Sequence, residues 1–316
     1  MEYWFSILHS RVRWGSHFSD DSRMKSGVRQ GGVLSPLLFT LFVDIVLLEL
    51  EKSGLGCFVN FTCYNSFMYA DDLILLSNSV SDLQSMLNLC NGVFKMLDLP
   101  INETKCHCMR IGPRCNVQCA SLRLNNVVLE WVDKINYLGI TVSKNKYLDF
   151  CWKEAKRHFY ICINSFFDQL GTDAHIDVLL KLIYSQAVPK LLYGTCAIKL
   201  SLADRKSLKY AYNSFYSKIF KSFDSNVIAN CQYFCNYMSF DCMHDLNRIM
   251  FLKRVVLAGR LKSKSSIDLM ENEELKMLLN KYNLMLVDSD RKIKGVIMSY
   301  FKSSIHDLDT NDSFDS

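Results

Sequence analysis

The stretch FMYADDLILL, residues 67–76, sets two adjacent carboxylates, Asp71 and Asp72, between two apolar runs. Residues 61–68 are rich in aromatic and β-forming side chains and residues 73–76 are continuously apolar. Both predict strands, joined by an antiparallel hairpin with its turn at Ala70-Asp71-Asp72. Aspartate is an ordinary turn residue, so a solvated turn is the plain reading of the pair. In extended backbone the two side chains would point to opposite faces, whereas a tight turn projects one or both at the hairpin tip. A second group of chemistry-bearing residues lies one element earlier, in GVRQGGVLSP, residues 27–36. Its glycines let backbone approach a ligand closely, and Arg29 and Gln30 offer donors to phosphate, ribose or base.

Regular elements must position these groups. Residues 12–24 predict two short strands around Gly15-Ser16. Ser35-Pro36 is a helix start, a capping side chain followed by proline at the first helical position, for a helix over residues 36–50. Its segment VLSPLLFTLFVDIVLLEL is long and greasy enough to raise a membrane reading. Pro36, Asp44 and Glu49 argue against that, and Thr40, Asp44 and Glu51 fall on one stripe, so a largely buried helix of a soluble protein is expected. Ser81-Asp82-Leu83-Gln84 fits a capping box ahead of a periodic helix closed by Pro100. Strand-like pieces resume at residues 106–111, 121–131 (with Asn125-Asn126 as a turn) and 137–142.

Beyond about Lys144 the chain reads as mostly helical, near residues 148–170, 176–192, 202–220 and 244–261. Lysine and arginine recur there, interleaved with Tyr210, Tyr212, Phe215 and Tyr216. Solvated helix faces explain this pattern, and a groove for a nucleic-acid backbone with ring stacking explains it too. The net charge of +5 permits a polyanionic partner without demanding one. Thirteen cysteines, an odd number without a repeating frame and without an opening signal peptide, point to free thiols in a reducing, intracellular compartment, cytoplasm or nucleus. Cys231, Cys235, Cys242 and His244 are too loosely spaced to read as a zinc site over a core or surface role.

The ordered set of RQG loop, helix, YADD hairpin, capped helix, NETK (residues 102–105) and YLGI (residues 137–140) resembles a reverse transcriptase of the non-LTR (LINE-like) retrotransposon kind. The likeness runs by motif over residues 4–142. It implies an RNA-directed DNA polymerase that uses an RNA template, a DNA primer and deoxynucleoside triphosphates, with no membrane role. It further implies that Asp71 and Asp72 are catalytic metal ligands and that Tyr69 and Ala70 line the primer and nucleotide site. Arg29, Gln30 and Gly31 match the nucleotide-contacting loop. Lys105 becomes the candidate proton donor to pyrophosphate, and Tyr137, Leu138 and Gly139 a primer grip. Two-metal nucleotidyl transfer suits these residues, because Mg²⁺ (or Mn²⁺) prefers hard oxygen ligands.

The family also uses a third metal carboxylate on an apolar strand ahead of the RQG loop. Asp20, Asp21 and Asp44 lie on the wrong elements to supply it. The expectation is therefore an N-terminally truncated domain, inactive alone, which the remainder of the element's polyprotein would complete; the alternative is a non-catalytic nucleic-acid-binding remnant. The expected fold is α+β: a partial polymerase palm of antiparallel sheet and packed helices over residues 1–143, a helical thumb-like region over 144–264, and a C-terminal extension over 265–316 with a disordered acidic tail. A third strand, from residues 12–24 or 106–111, is expected beside the Asp71 hairpin.

Overall fold

The computed structural model describes residues 9–23, 31–59, 61–171, 175–258 and 266–311. The chain falls into two units, Met1–Cys108 with Asn116–Trp131, and Met109–Cys115 with Val132–Ser316.

In the first unit, β1 (His9–Ser10) pairs with β4 (Ser22–Arg23) and encloses the hairpin of β2 (Arg13–Trp14) and β3 (His17–Phe18), which turns at Gly15-Ser16 as its sequence predicts. Helix α1 (Ser35–Ser53) follows. Its cap position falls on Leu34, without a capping side chain, and Ser35 and Pro36 lie inside the first turn. Proline's fixed φ and missing N–H suit that place, so it sets the start one residue earlier than a serine cap would.

The expectation of a largely buried α1 is corrected. Only Val43, Val46 and Leu50 are buried. Leu34, Leu37, Leu41, Ile45 and Leu48, spaced three and four apart, form an exposed apolar stripe. The strands and helix that pack on α1 within this unit cover one side of it, and the helix is apolar on more than one side. No helix among the described residues is long and apolar enough to cross a membrane.

Next come β5 (Cys57–Val59) and β6 (Thr62–Tyr64), an antiparallel pair, then β7 (Ser66–Tyr69) and β8 (Asp72–Leu75), a second one. Asn65 separates the two hairpins and ties them to α1, its amide donating to the Leu50 carbonyl at 2.9 Å. Gly56 makes room for it: a Cβ there would stand 2.7 Å from the Asn65 Cβ.

Helix α2 (Val80–Met96) is capped by Ser79, whose hydroxyl accepts from the Asp82 N–H. The predicted capping box at Ser81 is thus displaced. Gln84 instead reaches across to β10 (Arg123–Leu124), donating to the Arg123 carbonyl and accepting from its N–H, both at 2.8 Å. It satisfies the backbone of a strand edge, which a local cap cannot do. β10 pairs with β11 (Val127–Val128) across Asn125-Asn126, both at positive φ as a two-residue type I′ turn requires. β9 (His107–Cys108) pairs in parallel with β12 (Glu130–Trp131).

No third strand joins the β7–β8 pair among the described residues, contrary to expectation. The candidate partners are two residues long and give their backbone bonds to other neighbours, β2 to β3 and β9 to β12. The unit is a set of small sheets on two helices. Val43, Val46 and Leu50 of α1 and Met86, Cys90, Val93 and Phe94 of α2 form the core beneath the hairpin.

The second unit opens with β13 (Lys134–Tyr137), β14 (Ile140–Ser143) and β15 (Asp149–Cys151) in one antiparallel sheet. β15 takes residues expected to begin a helix. Helix α3 (Lys153–Leu170) follows. Then α4 (Ile176–Leu182), a π-helical turn (Ile183–Ala187) and α5 (Val188–Leu192) interrupt what the pattern reads as one helix. Pro189 cannot donate to the carbonyl four residues back and crowds it, and the chain widens so that Val188 N–H bonds to Ile183.

α6 (Leu202–Phe220), α7 (Ser225–Phe234), α8 (Phe240–Leu257), α9 (Ser266–Lys281) and α10 (Asp290–Asn311) complete the unit. Two cores hold it. One gathers Phe159, Tyr212, Phe215, Tyr216 and Phe240. The other packs α8 against α9 and α10 through Ile249, Leu252, Leu275, Leu279, Ile293 and Ile297. α10 continues to Asn311, into the stretch expected to be disordered; residues 312–316 lie outside the described residues.

Candidate active site

The hairpin register pairs Met68 with Leu73 and Tyr69 with Asp72. Met68, Leu73 and Leu75 are partly buried against the α1–α2 core. Strand alternation therefore sends Phe67, Tyr69, Asp72 and Ile74 to the opposite face. The two turn residues are Ala70 and Asp71, and Asp72 is the first residue of β8, one position beyond the turn expected for it. Ala70 holds φ +52°, a left-handed conformation that costs a residue with a Cβ about 1 kcal/mol.

Both carboxylates are exposed, and no hydrogen bond or ion pair among the described residues engages either one. Two adjacent, unengaged oxygen donors on a strand-anchored tip fit a hard divalent cation. Among the described residues, however, no third His, Cys, Asp or Glu joins them in a metal-holding group. Of the carboxylates set aside from sequence, Asp21 is engaged by Arg11, Nη2 to Oδ2 at 2.9 Å. Asp44 is exposed on α1.

Residues 3–142, which include this hairpin, match the family described as reverse transcriptase (RNA-dependent DNA polymerase). The chain is 31% identical over 125 residues to the Retrovirus-related Pol polyprotein from type-2 retrotransposable element R2DM of Drosophila melanogaster, covering 37% of this chain and 12% of that protein. It is 34% identical over 107 residues to the Pol polyprotein from type-1 retrotransposable element R2 of Nasonia vitripennis, covering 34% of this chain and 10% of the relative. Residues 3–142 are a reverse transcriptase domain of the non-LTR retrotransposon kind. A match to the R2 Pol polyprotein of Popillia japonica, 27% identical over 179 residues, takes in 54% of this chain and 24% of that protein. The chain thus spans a minor part of the length of these relatives.

The remaining motif residues of the reverse transcriptase domain divide among several places. Gly31 is described, exposed and at φ +81°, just ahead of α1. Arg29 and Gln30 lie outside the described residues. Lys105 closes a short 3₁₀ turn, Glu103–Lys105, whose N-terminus is capped by Asn102. It is exposed, and no hydrogen bond or ion pair among the described residues joins it to Asp71 or Asp72. Glu103 beside it accepts from the Asn125 amide at 2.6 Å, which holds its carboxyl below the ordinary value.

Tyr137, Leu138 and Gly139 belong to the second unit. Leu138 (φ +48°) and Gly139 (φ +77°) are the two turn residues between β13 and β14, the backbone signature of a type I′ turn. A Cβ on Gly139 would touch the Tyr193 ring at 3.4 Å, an ordinary contact, so it is the positive φ that favours glycine there.

The reading of a groove with interleaved stacking rings in α6 is corrected. Tyr212, Phe215 and Tyr216 are fully buried, and of the four aromatics only Tyr210 is exposed. Tyr184 bridges the Tyr212 and Tyr216 hydroxyls at 2.6 and 2.7 Å. These rings fill a core and are closed to bases. Several of the basic residues are also engaged internally: Arg205 and Lys209 with Asp241, and Lys218 with Asn164 and the Phe167 ring. Cys231, Cys235, Cys242 and His244 form no metal-holding group among the described residues.

Proposed function

We propose that this chain supplies the carboxylate hairpin of an RNA-directed DNA polymerase that extends a DNA primer along an RNA template. One observation carries the reading: Asp71 and Asp72 stand exposed and unengaged at the tip of a helix-backed hairpin inside the reverse transcriptase domain. They would hold a divalent cation, Mg²⁺ or Mn²⁺, which when bound stabilises charge developing on the transferring phosphate. Tyr69 and Ala70 flank the tip and Gly31 lets backbone approach the nucleotide, with Arg29 and Gln30 as its donors. Lys105 delivers a proton to the leaving pyrophosphate, and Tyr137, Leu138 and Gly139 hold the primer end. On this reading residues 1–143 form palm, 144–264 a thumb-like region and 265–316 an extension, and the protein works in cytoplasm or nucleus.

Two carboxylates anchor one hydrated ion; a second ion needs a further oxygen donor. Polymerisation then requires a carboxylate-bearing segment besides those described, and the chain by itself extends primers poorly. The test is extension of a primed RNA template with Mg²⁺ or Mn²⁺, by the chain alone and by the chain fused to the corresponding N-terminal segment of an intact relative. The fusion should extend, and Asp71→Asn in it should lower the rate by about 10²–10³-fold, the scale for loss of one preorganised electrostatic group. Extension that survives Asp71→Asn would overturn the assignment. A fusion that folds and binds primer–template without extending it would favour a nucleic-acid-binding role instead.

A further inference from the structure

Four cations of the α8–α10 region are held in ion pairs. Arg248 forms a two-pronged pair with Glu274, Lys281 meets Asp245, Lys253 meets Asp290, and Lys292 meets Asp288. Arg254, Arg291 and Lys294 are not paired in this way among the described residues, and they share one place. They line a cavity of about 470 Å³ between α8 and α10. All three are exposed, and none makes an ion pair or side-chain hydrogen bond among the described residues. Asp290, the one carboxylate lining the cavity, is held by Lys253 at 3.2 Å. Helix geometry converges the cations: Leu246, Met250 and Arg254 stand four apart along α8, and Arg291 and Lys294 stand three apart along α10.

Three like charges around one hollow repel one another, and a bound anion offsets that repulsion. The rest of the lining is largely apolar, with Leu246, Met250 and Phe251 beside Cys196 and Asn247. Arg248 sits 5.9 Å from the centre of the Phe251 ring. Cations, apolar side chains and an aromatic ring lining one hollow match a phosphate joined to an aromatic base, and the volume falls in the range of small-ligand pockets.

We infer that this cavity binds one unpaired nucleotide unit, its phosphate held by Arg254, Arg291 and Lys294 and its base seated on Met250 and Phe251. The site lies in the second unit, outside the reverse transcriptase match, and does not depend on polymerase activity.

The test uses the full chain and a short fluorescent oligouridylate, with binding read by anisotropy across a salt series. Replacing Arg254, Arg291 and Lys294 together by glutamine removes three exposed charges without opening the core. The variant should bind at least about tenfold more weakly, and its log–log salt dependence should be shallower by about 0.7, the contribution of the one phosphate no longer neutralised. Oligomer carrying a photoreactive uridine should crosslink to Met250 or Phe251. Uridine monophosphate as competitor separates the sources: strong competition marks a free nucleotide as the ligand, weak competition a strand. An unchanged salt slope in the variant, crosslinks confined to other regions, or inorganic phosphate competing as well as the nucleotide would overturn the inference.

Discussion

Asp71 and Asp72 are neighbours in the chain, and Asp241 and Asp245 are neighbours on one face of α8. Each pair sets two carboxylates side by side, yet the environments are opposite. Asp241 takes Arg205 and Lys209, each at 2.7 Å. Asp245 is buried and takes Lys281 at 2.6 Å, the Tyr282 hydroxyl at 2.9 Å and Arg205 at 3.2 Å. Burial alone would raise the Asp245 carboxyl; His244, Lys281 and Tyr282 around it outweigh burial and hold it well below the ordinary range. The hairpin pair has no such partners among the described residues. Two carboxylates become structure where cations and a phenol surround them, and stay open to a ligand where the fold leaves them at an exposed tip.

The sharpest way to break this contrast is to neutralise one acid of each pair. Asp245→Asn should destabilise the second unit by about 1–3 kcal/mol, because the Tyr282 hydroxyl and Lys281 lose a charged acceptor while Arg205 keeps Asp241. Asp71→Asn should leave the unfolding midpoint unmoved. Urea denaturation of both variants checks this, and equal effects would remove the distinction. Acid gives a graded version. The folded Asp245 titrates below its unfolded counterpart, so its stabilisation is complete above the unfolded value near ~4 and is lost as pH falls below it. Stability measured from neutral pH downward should therefore decline below about 4 in the parent, and less steeply in Asp245→Asn. The smallest effect belongs to the tip. Ala70→Gly relieves a left-handed residue without touching either carboxylate, and should raise stability by at most about 1 kcal/mol after the unfolded chain's added freedom is counted. A fall in stability would mean that the Ala70 side chain has packing to lose.

Local chemistry was legible where neighbours in sequence decide the outcome. Gly15-Ser16 and Asn125-Asn126 turn as read, α1 starts at its Ser35-Pro36 signal and α2 follows its apolar period, and the YADD and YLGI motifs are both two-residue hairpins. Reading failed where a distant partner won. Ser79 rather than Ser81 caps α2, while Gln84 is drawn to the edge of β10. A proline inside a helical pattern widened one turn instead of ending the helix, because the segments on either side pack into the same core. Tyr212, Phe215 and Tyr216 looked available for stacking, because a helix with apolar residues around much of its circumference does not announce which face is covered.

The sequence by itself determined which residues could do chemistry: the carboxylates of FMYADDLILL, the RQG loop, NETK and YLGI, in an order that marks a reverse transcriptase domain. It also determined the turns and most helices, since these depend on backbone preference and periodicity within a few residues. Only the tertiary structure decided which charged groups are engaged and which stay open. Arg205 and Lys209 are taken up by Asp241, while Arg254, Arg291 and Lys294 are left around one hollow. The physical reason is that a side chain's partners across some 30 or 40 residues are set by helix packing, which no local spacing encodes.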